Sequence, residues 1–104
     1  MPCCYILHSQ TLNRYYIGAT GESIEQRLEQ HLSKFFGTAV YTAKANDWTV
    51  ALDIPCSSLE HALRVERFIK RMKRAVFIRK LMHDNALVLD IVDKTLPGKP
   101  PSTE

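Results

Sequence analysis

The chain has 104 residues, with 14 Lys and Arg against 11 Asp and Glu and a net charge of +3, a size that suits one domain and leaves little room for a second core. Its apolar runs fall short of the ~18 to 20 residues that a membrane-spanning helix needs, and its three cysteines lack metal-finger spacing and are too few and odd in number for a disulfide-built fold. So small an excess of positive charge permits a nucleic-acid partner without demanding one.

The first elements in chain order are two short strands, residues 3–8 and 14–19, rich in aromatic and β-branched types and joined by the polar stretch Ser9-Gln10-Thr11-Leu12-Asn13. A hairpin centred between Gln10 and Thr11 sets Tyr5 opposite Tyr16 on one face of the sheet. A slip of one residue would separate the two rings. Cys3 and Cys4 read as small buried hydrophobes of the first strand. No signal-peptide pattern opens the chain, so reduced thiols and a cytoplasmic setting are expected.

Gly21 breaks the second strand, and Ser23 followed by Gln26 is a capping box that opens a helix expected to run to about residue 36, with Gly37 as its stop. Ile24, Leu28, Leu32 and Phe35 make its apolar stripe, and Arg27 and His31, one turn apart, stand on an edge of that stripe. Residues 38–46 read as a loop. Trp48-Thr49-Val50-Ala51-Leu52-Asp53-Ile54 reads as a half-buried strand ended by Pro55.

Ser57 with Glu60 gives a second capping box, opening a helix whose apolar positions include Leu59, Ala62, Leu63, Val65, Ile69 and Met72. At ~100° per residue, Glu66 falls among Leu59, Leu63 and Ile69 in the middle of the apolar arc. A carboxylate there is costly unless something compensates it. The same region is basic, with Arg64, Arg67, Lys70, Arg71, Lys73, Arg74, Arg79 and Lys80 against Glu60 and Glu66. A third helix is expected over 75–83, and a short strand or irregular apolar cover over 86–92. From Lys94 onward the chain has little to bury, which divides it into one domain over 1–93 and a disordered tail over 94–104.

These residue types suit phosphodiester hydrolysis, which needs charge on the phosphate, an activated water and usually a divalent metal. Glu66 is a hard oxygen ligand for Mg²⁺ or Mn²⁺, ions that keep several waters and need few carboxylates. Arg27 can grip a phosphate oxygen through its planar fork. Tyr5 or Tyr16 can take the proton of the attacking water, and His31 can orient the phosphate or assist the leaving group. Lys34, Arg64, Lys70, Arg71, Lys73 and Arg74 are the candidate nucleic-acid contacts. Against this stands a plainer account of Glu66, a structural ion pair with Arg27 or Lys70.

Tyr16-Ile17-Gly18, the degenerate Pro2-Cys3-Cys4-Tyr5 before it, and the ordered Arg27, His31 and Glu66 after it resemble the GIY-YIG nuclease family. The resemblance runs from Pro2 to about Leu81. It implies an α+β fold, with a three-stranded antiparallel sheet flanked by about three helices, and a DNA endonuclease acting through a single divalent cation. Tyr5, Tyr16, Gly18, Arg27, His31 and Glu66 take the family's site positions, with Tyr5 as the base and Glu66 as the metal ligand. Tyr41-Thr42 and the run from Ala62 to Lys70 are similar to the small single-domain branch related to the N-terminal catalytic domain of the bacterial excinuclease C subunit. Cys3 replaces the glycine of the first motif, and only Asn85 offers a candidate for the family's late asparagine. Two other classes compete: a noncatalytic nucleic-acid-binding module of the same fold, and an interaction domain presenting Tyr15, Phe35, Phe36 and Tyr41.

Overall fold

The two apolar runs at the start of the chain pair as β1 (Cys3–Ser9) and β2 (Arg14–Thr20) in a computed structural model that describes residues 1–32, 41–72 and 74–98. Ser9 pairs with Arg14, so the turn holds Gln10, Thr11, Leu12 and Asn13. Asn13 closes it at φ 51° with its N–H 3.2 Å from the Gln10 carbonyl, a left-handed position that asparagine tolerates better than most residues. The pairing is centred between Thr11 and Leu12, which corrects the expected register. Tyr5 lies opposite Gly18, and Tyr16 opposite Leu7. The shift is an even number of residues, so both tyrosines keep the same face.

Asp47, from the far side of the sheet, clamps this turn. Its carboxylate accepts from Ser9 Oγ at 2.6 Å, from Thr11 N at 2.8 Å and from Thr11 Oγ1 at 2.9 Å, while Leu12 N donates to Ser9 Oγ at 3.1 Å. The Ser9 hydroxyl and the Thr11 donors hold the Asp47 carboxyl down at about 2, below its usual 3.8. A carboxylate depressed on folding adds stability that is complete above its unfolded value and lost as pH falls toward the folded one. Acid should therefore loosen the hairpin between about pH 4 and pH 2. In Asp47→Asn the thermal midpoint should be lower than the parent's at pH 7 and should fall less between pH 4 and pH 2; parallel curves would show that the clamp adds nothing.

β3 (Thr49–Pro55) pairs with the other edge of β1, giving an antiparallel sheet of order β2-β1-β3. The central strand is buried at every position except His8. Edge strand β3 is mostly exposed or half-buried, with its register shifting opposite Ile6 and Leu7. The three-stranded antiparallel α+β architecture is the one expected.

α1 (Ile24–Leu32) starts at the expected capping box, with Gln26 N donating to Ser23 Oγ at 3.2 Å. Its continuation to residue 36, Gly37 as its stop, Lys34, Phe35 and Phe36 lie outside the described residues. A 3₁₀ turn, Tyr41–Lys44, occupies part of the expected loop. α2 (Leu59–Met72) starts one residue later than the Ser57–Glu60 box implied. Ser58 Oγ accepts from His61 N at 3.1 Å, and His61 Nδ1 accepts from Ser57 N at 3.0 Å, so histidine fills the role expected of Glu60. With Nδ1 accepting, Nε2 carries the proton and donates to the Val92 carbonyl at 2.9 Å.

α3 (Ala75–His83) falls where expected, but residues 86–92 are neither strand nor irregular cover; they belong to a fourth helix, α4 (Asn85–Lys94). Asp84 caps it by accepting from Leu87 N at 3.1 Å. Lys94 closes α4 and Thr95 is buried against it, its hydroxyl donating to the Ile91 carbonyl at 2.6 Å, so packed chain extends past the expected start of the tail. Residues 99–104 lie outside the described ones.

The alternation of strand side chains makes two cores. Cys4, Ile6 and Ile54 face Ala62, Val65 and Ile69 of α2, with Ile78, Leu81, Val88 and Ile91 of α3 and α4 joining them. On the opposite face Cys3, Tyr5 and Leu7 pack with Ile24 and Trp48, and Tyr16 and Leu28 border them. Truncating a side chain such as Ile69 or Leu81 to alanine costs about 2–5 kcal/mol. All three cysteines are buried and free. No helix among the described residues is long and apolar enough to cross a membrane.

Candidate active site

Tyr5 points from the central strand to the α1 face, and its ring crosses directly over its cross-strand partner Gly18. A Cβ built on Gly18 would land on the Tyr5 hydroxyl and come within 2.5 Å of its Cζ. No side chain fits between backbone and ring, so glycine is required for the phenol to reach the edge strand.

Arg27 and His31, one turn apart on α1, converge on that hydroxyl. Arg27 Nε donates to Tyr5 Oη at 3.3 Å, and His31 Nε2 lies 3.0 Å from the same oxygen. Since Arg27 only donates, the phenol's own proton is available to a neutral His31 Nε2. Tyr16 completes the group. Its ring centroid is 6.5 Å from Tyr5, 5.2 Å from His31 edge-on and 6.4 Å from Trp48. Tyr5 and His31 are 1% and 3% exposed, while Tyr16 and Arg27 are half-buried.

Burial sets the electrostatics. It pushes the Tyr5 phenol up to about 12, opposed by the Arg27 hydrogen bond and charge, with Tyr16 and Glu66 adding to the rise. Burial and then the Arg27 cation push His31 below the usual histidine value of 6.5. At neutral pH both groups are uncharged beside a permanent cation.

Glu66 approaches from α2, which packs on the other face of the sheet. The expected apolar arc is corrected here: Leu59, Leu63 and Met72 are exposed, and the seam that packs is His61, Ala62, Val65 and Ile69. Ala62, Val65 and Ile69 of that seam are small or β-branched and fit close to the strands, while His61 bonds to the Val92 carbonyl of α4. Glu66 consequently borders the seam, its side chain 16% exposed, and its Oε2 lies 2.9 Å from Lys70 Nζ. Its charge still reaches Tyr5.

The donor set discriminates among metals. Among the described residues no group of three or more His, Cys, Asp or Glu could cage an ion, which does not suit a structural zinc. A lone carboxylate suits Mg²⁺ or Mn²⁺, which keep their waters and share the substrate's phosphate. Lys70, the partner of that carboxylate, is 54% exposed.

The basic stripe divides. Lys70 is with Glu66, while Arg64 Nε donates to the Thr95 carbonyl at 3.0 Å and so ties α2 to the end of α4. Arg71 and Arg74 are exposed, and Lys34 and Lys73 lie outside the described residues. Asn85 is the exposed first residue of α4. Sequence reasoning did not find Trp48 as a wall of the site or the seat that Gly18 gives Tyr5.

The family model of the GIY-YIG catalytic domain matches residues 1–81, a span that contains Tyr5, Tyr16, Gly18, Arg27, His31 and Glu66. Comparison with curated proteins and with solved structures gives no match.

Proposed function

This chain belongs to the GIY-YIG family of nucleases, and from that premise we propose that it is a metal-dependent endonuclease that hydrolyses phosphodiester bonds in DNA. The observation that supports this most is the convergence of Arg27 and His31 on one buried phenol. Tyr5 is too weak an acid to stand ionised, so it acts as a relay. As water attacks phosphorus, its proton passes to Tyr5 Oη while the Tyr5 proton passes to His31 Nε2. The P–O bond to the leaving oxygen breaks, and that oxygen takes a proton from solvent. Arg27 covers the hydroxyl until a phosphate draws its guanidinium away; its charge then sits where negative charge develops. Tyr16, half-buried beside Tyr5, positions the phosphate or the water. Glu66 would hold Mg²⁺ or Mn²⁺, which supplies Lewis acidity toward the phosphate and acidifies bound water.

The Glu66–Lys70 ion pair favours a second reading, a noncatalytic nucleic-acid-binding module of the same fold. Incubation with supercoiled plasmid and with structured oligonucleotides separates the two. The endonuclease should nick the plasmid with Mg²⁺ or Mn²⁺ and stop on addition of EDTA. Retention of labelled oligonucleotide without cleavage under every metal condition would establish the binding module instead.

A further inference from the structure

A cleft of about 420 Å³ opens between β2 and α3, lined by Arg14, Tyr15 and Ile17 from the strand and by Lys70, Arg74, Ile78 and Arg79 from the helical side. Tyr15 and Ile17 alternate with Tyr16 and Gly18, so the cleft lies on the opposite face of the sheet from the Tyr5 hydroxyl. It is a separate place from the site above, joined to it by Lys70, which lines the cleft and touches Glu66.

Three features together select its occupant. Four cations line it, and no carboxylate does among the described residues, so it attracts an anion carrying several charges. Arg74 adds to this field at the N-cap of α3, where it makes no side-chain cap, and the first turn has no acid to offset it. Tyr15 is half-buried, with the His8 ring 4.8 Å away fixing its position, and with Ile17 and Ile78 it gives the cleft an apolar, aromatic wall. A phosphate alone would leave that wall unused. The volume is at the small end of ligand sites, enough for one nucleotide and far too small for a duplex.

We propose that this cleft takes an unpaired nucleotide of the DNA strand next to the scissile phosphate, its base against Tyr15 and its phosphates among Arg14, Arg74 and Arg79. The inference rests on the endonuclease reading for its position beside the cut. A strand crossing the site at Glu66 passes Lys70 and enters the cleft, which makes DNA with a single-stranded segment the preferred substrate over a continuous duplex. Aromatic stacking tolerates any base, so no sequence preference is expected from this contact.

Binding is measured by fluorescence anisotropy in EDTA, so cleavage plays no part, with a flap-bearing oligonucleotide, the same oligonucleotide abasic in the flap, and a blunt duplex. The parent should bind the flap best, and Tyr15→Leu should weaken flap binding roughly tenfold while leaving abasic binding unchanged. Arg14→Gln with Arg79→Gln, both exposed positions, should reduce the slope of log affinity against log salt by about 1.4. If the abasic flap binds as well as the intact one, or if the arginine pair leaves the slope unchanged, the cleft holds no nucleotide and the inference is overturned, whatever the cleavage assay shows. Cleft-dependent flap binding by a protein that cuts nothing with metal would instead remove the endonuclease reading and the assigned position beside a cut.

Discussion

Glu66→Gln should abolish metal-dependent cleavage and leave the fold intact. Glutamine is nearly isosteric but contributes no negative charge, so the site loses its one assigned carboxylate ligand while the packing at the border of the α2 seam is kept. If the metal supplies several kcal/mol of transition-state stabilisation, the rate should drop by a factor on the order of 10³ or more. The loss of stability should be small. Lys70, the partner at 2.9 Å, is largely exposed, and pairs of this i,i+4 kind contribute about 0.5 kcal/mol or less. Mn²⁺ binding followed by electron paramagnetic resonance gives a readout independent of turnover, and it should weaken in the variant in step with the rate. Equal cleavage by parent and variant at saturating Mg²⁺ would remove Glu66 from the mechanism. A variant that cleaves normally but melts several degrees lower would make the ion pair its whole purpose.

The parts of the fold governed by local pattern were legible in the sequence. The two strands of the hairpin, the Ser23–Gln26 cap and α3 each follow from residues within a few positions of one another. What failed depended on partners distant in sequence. The hairpin turn closes at Asn13 in the left-handed region and is clamped by Asp47 reaching back to Ser9 and Thr11, a partner that residues 3–20 do not announce. The buried seam of α2 excludes Leu59 and Leu63 although both are apolar, because a helix packed across a twisted sheet buries the side that meets the strands, and periodicity alone offers two overlapping arcs. Residues 86–92 misled through their Val and Ile content. The signal that was available is Asp84 in a capping position before Leu87, Val88 and Ile91 at helical spacing.

The candidate site shows the same division. Tyr5, Tyr16, Arg27 and His31 were named from their types and order, and they meet in space. The role of Gly18 is invisible in sequence, since it rests on a ring that lies over its Cα. Arg79 stands far along the chain from Arg14 and Tyr15 and joins them only when α3 folds back toward β2.

Tyr5→Phe should lower the single-turnover cleavage rate by about 10² to 10⁴, the usual worth of a positioned proton acceptor, while affinity for DNA in EDTA stays near the parent's. Phenylalanine keeps the ring seated on Gly18 and removes only the oxygen shared by Arg27 and His31. A loss in rate with binding retained marks an interaction made mainly in the transition state. Tyr16→Phe is the comparison, and its cost should be smaller because its hydroxyl positions a group and relays no proton. The pH dependence separates the relay from a packing effect. His31 accepts a proton only while neutral, and burial beside Arg27 holds it below 6.5, so the parent's rate should be level above that value and fall as pH drops through the lowered one. The same depressed histidine makes the fold lose stability in acid, because the unfolded chain takes up the proton more readily; thermal midpoints at each pH separate unfolding from the loss of rate. With no hydroxyl to pass a proton, Tyr5→Phe should be slow at every pH and lack the acid limb that His31 imposes. If it cleaves as fast as the parent across the range, Tyr5 is packing alone, and the water must give its proton to another base.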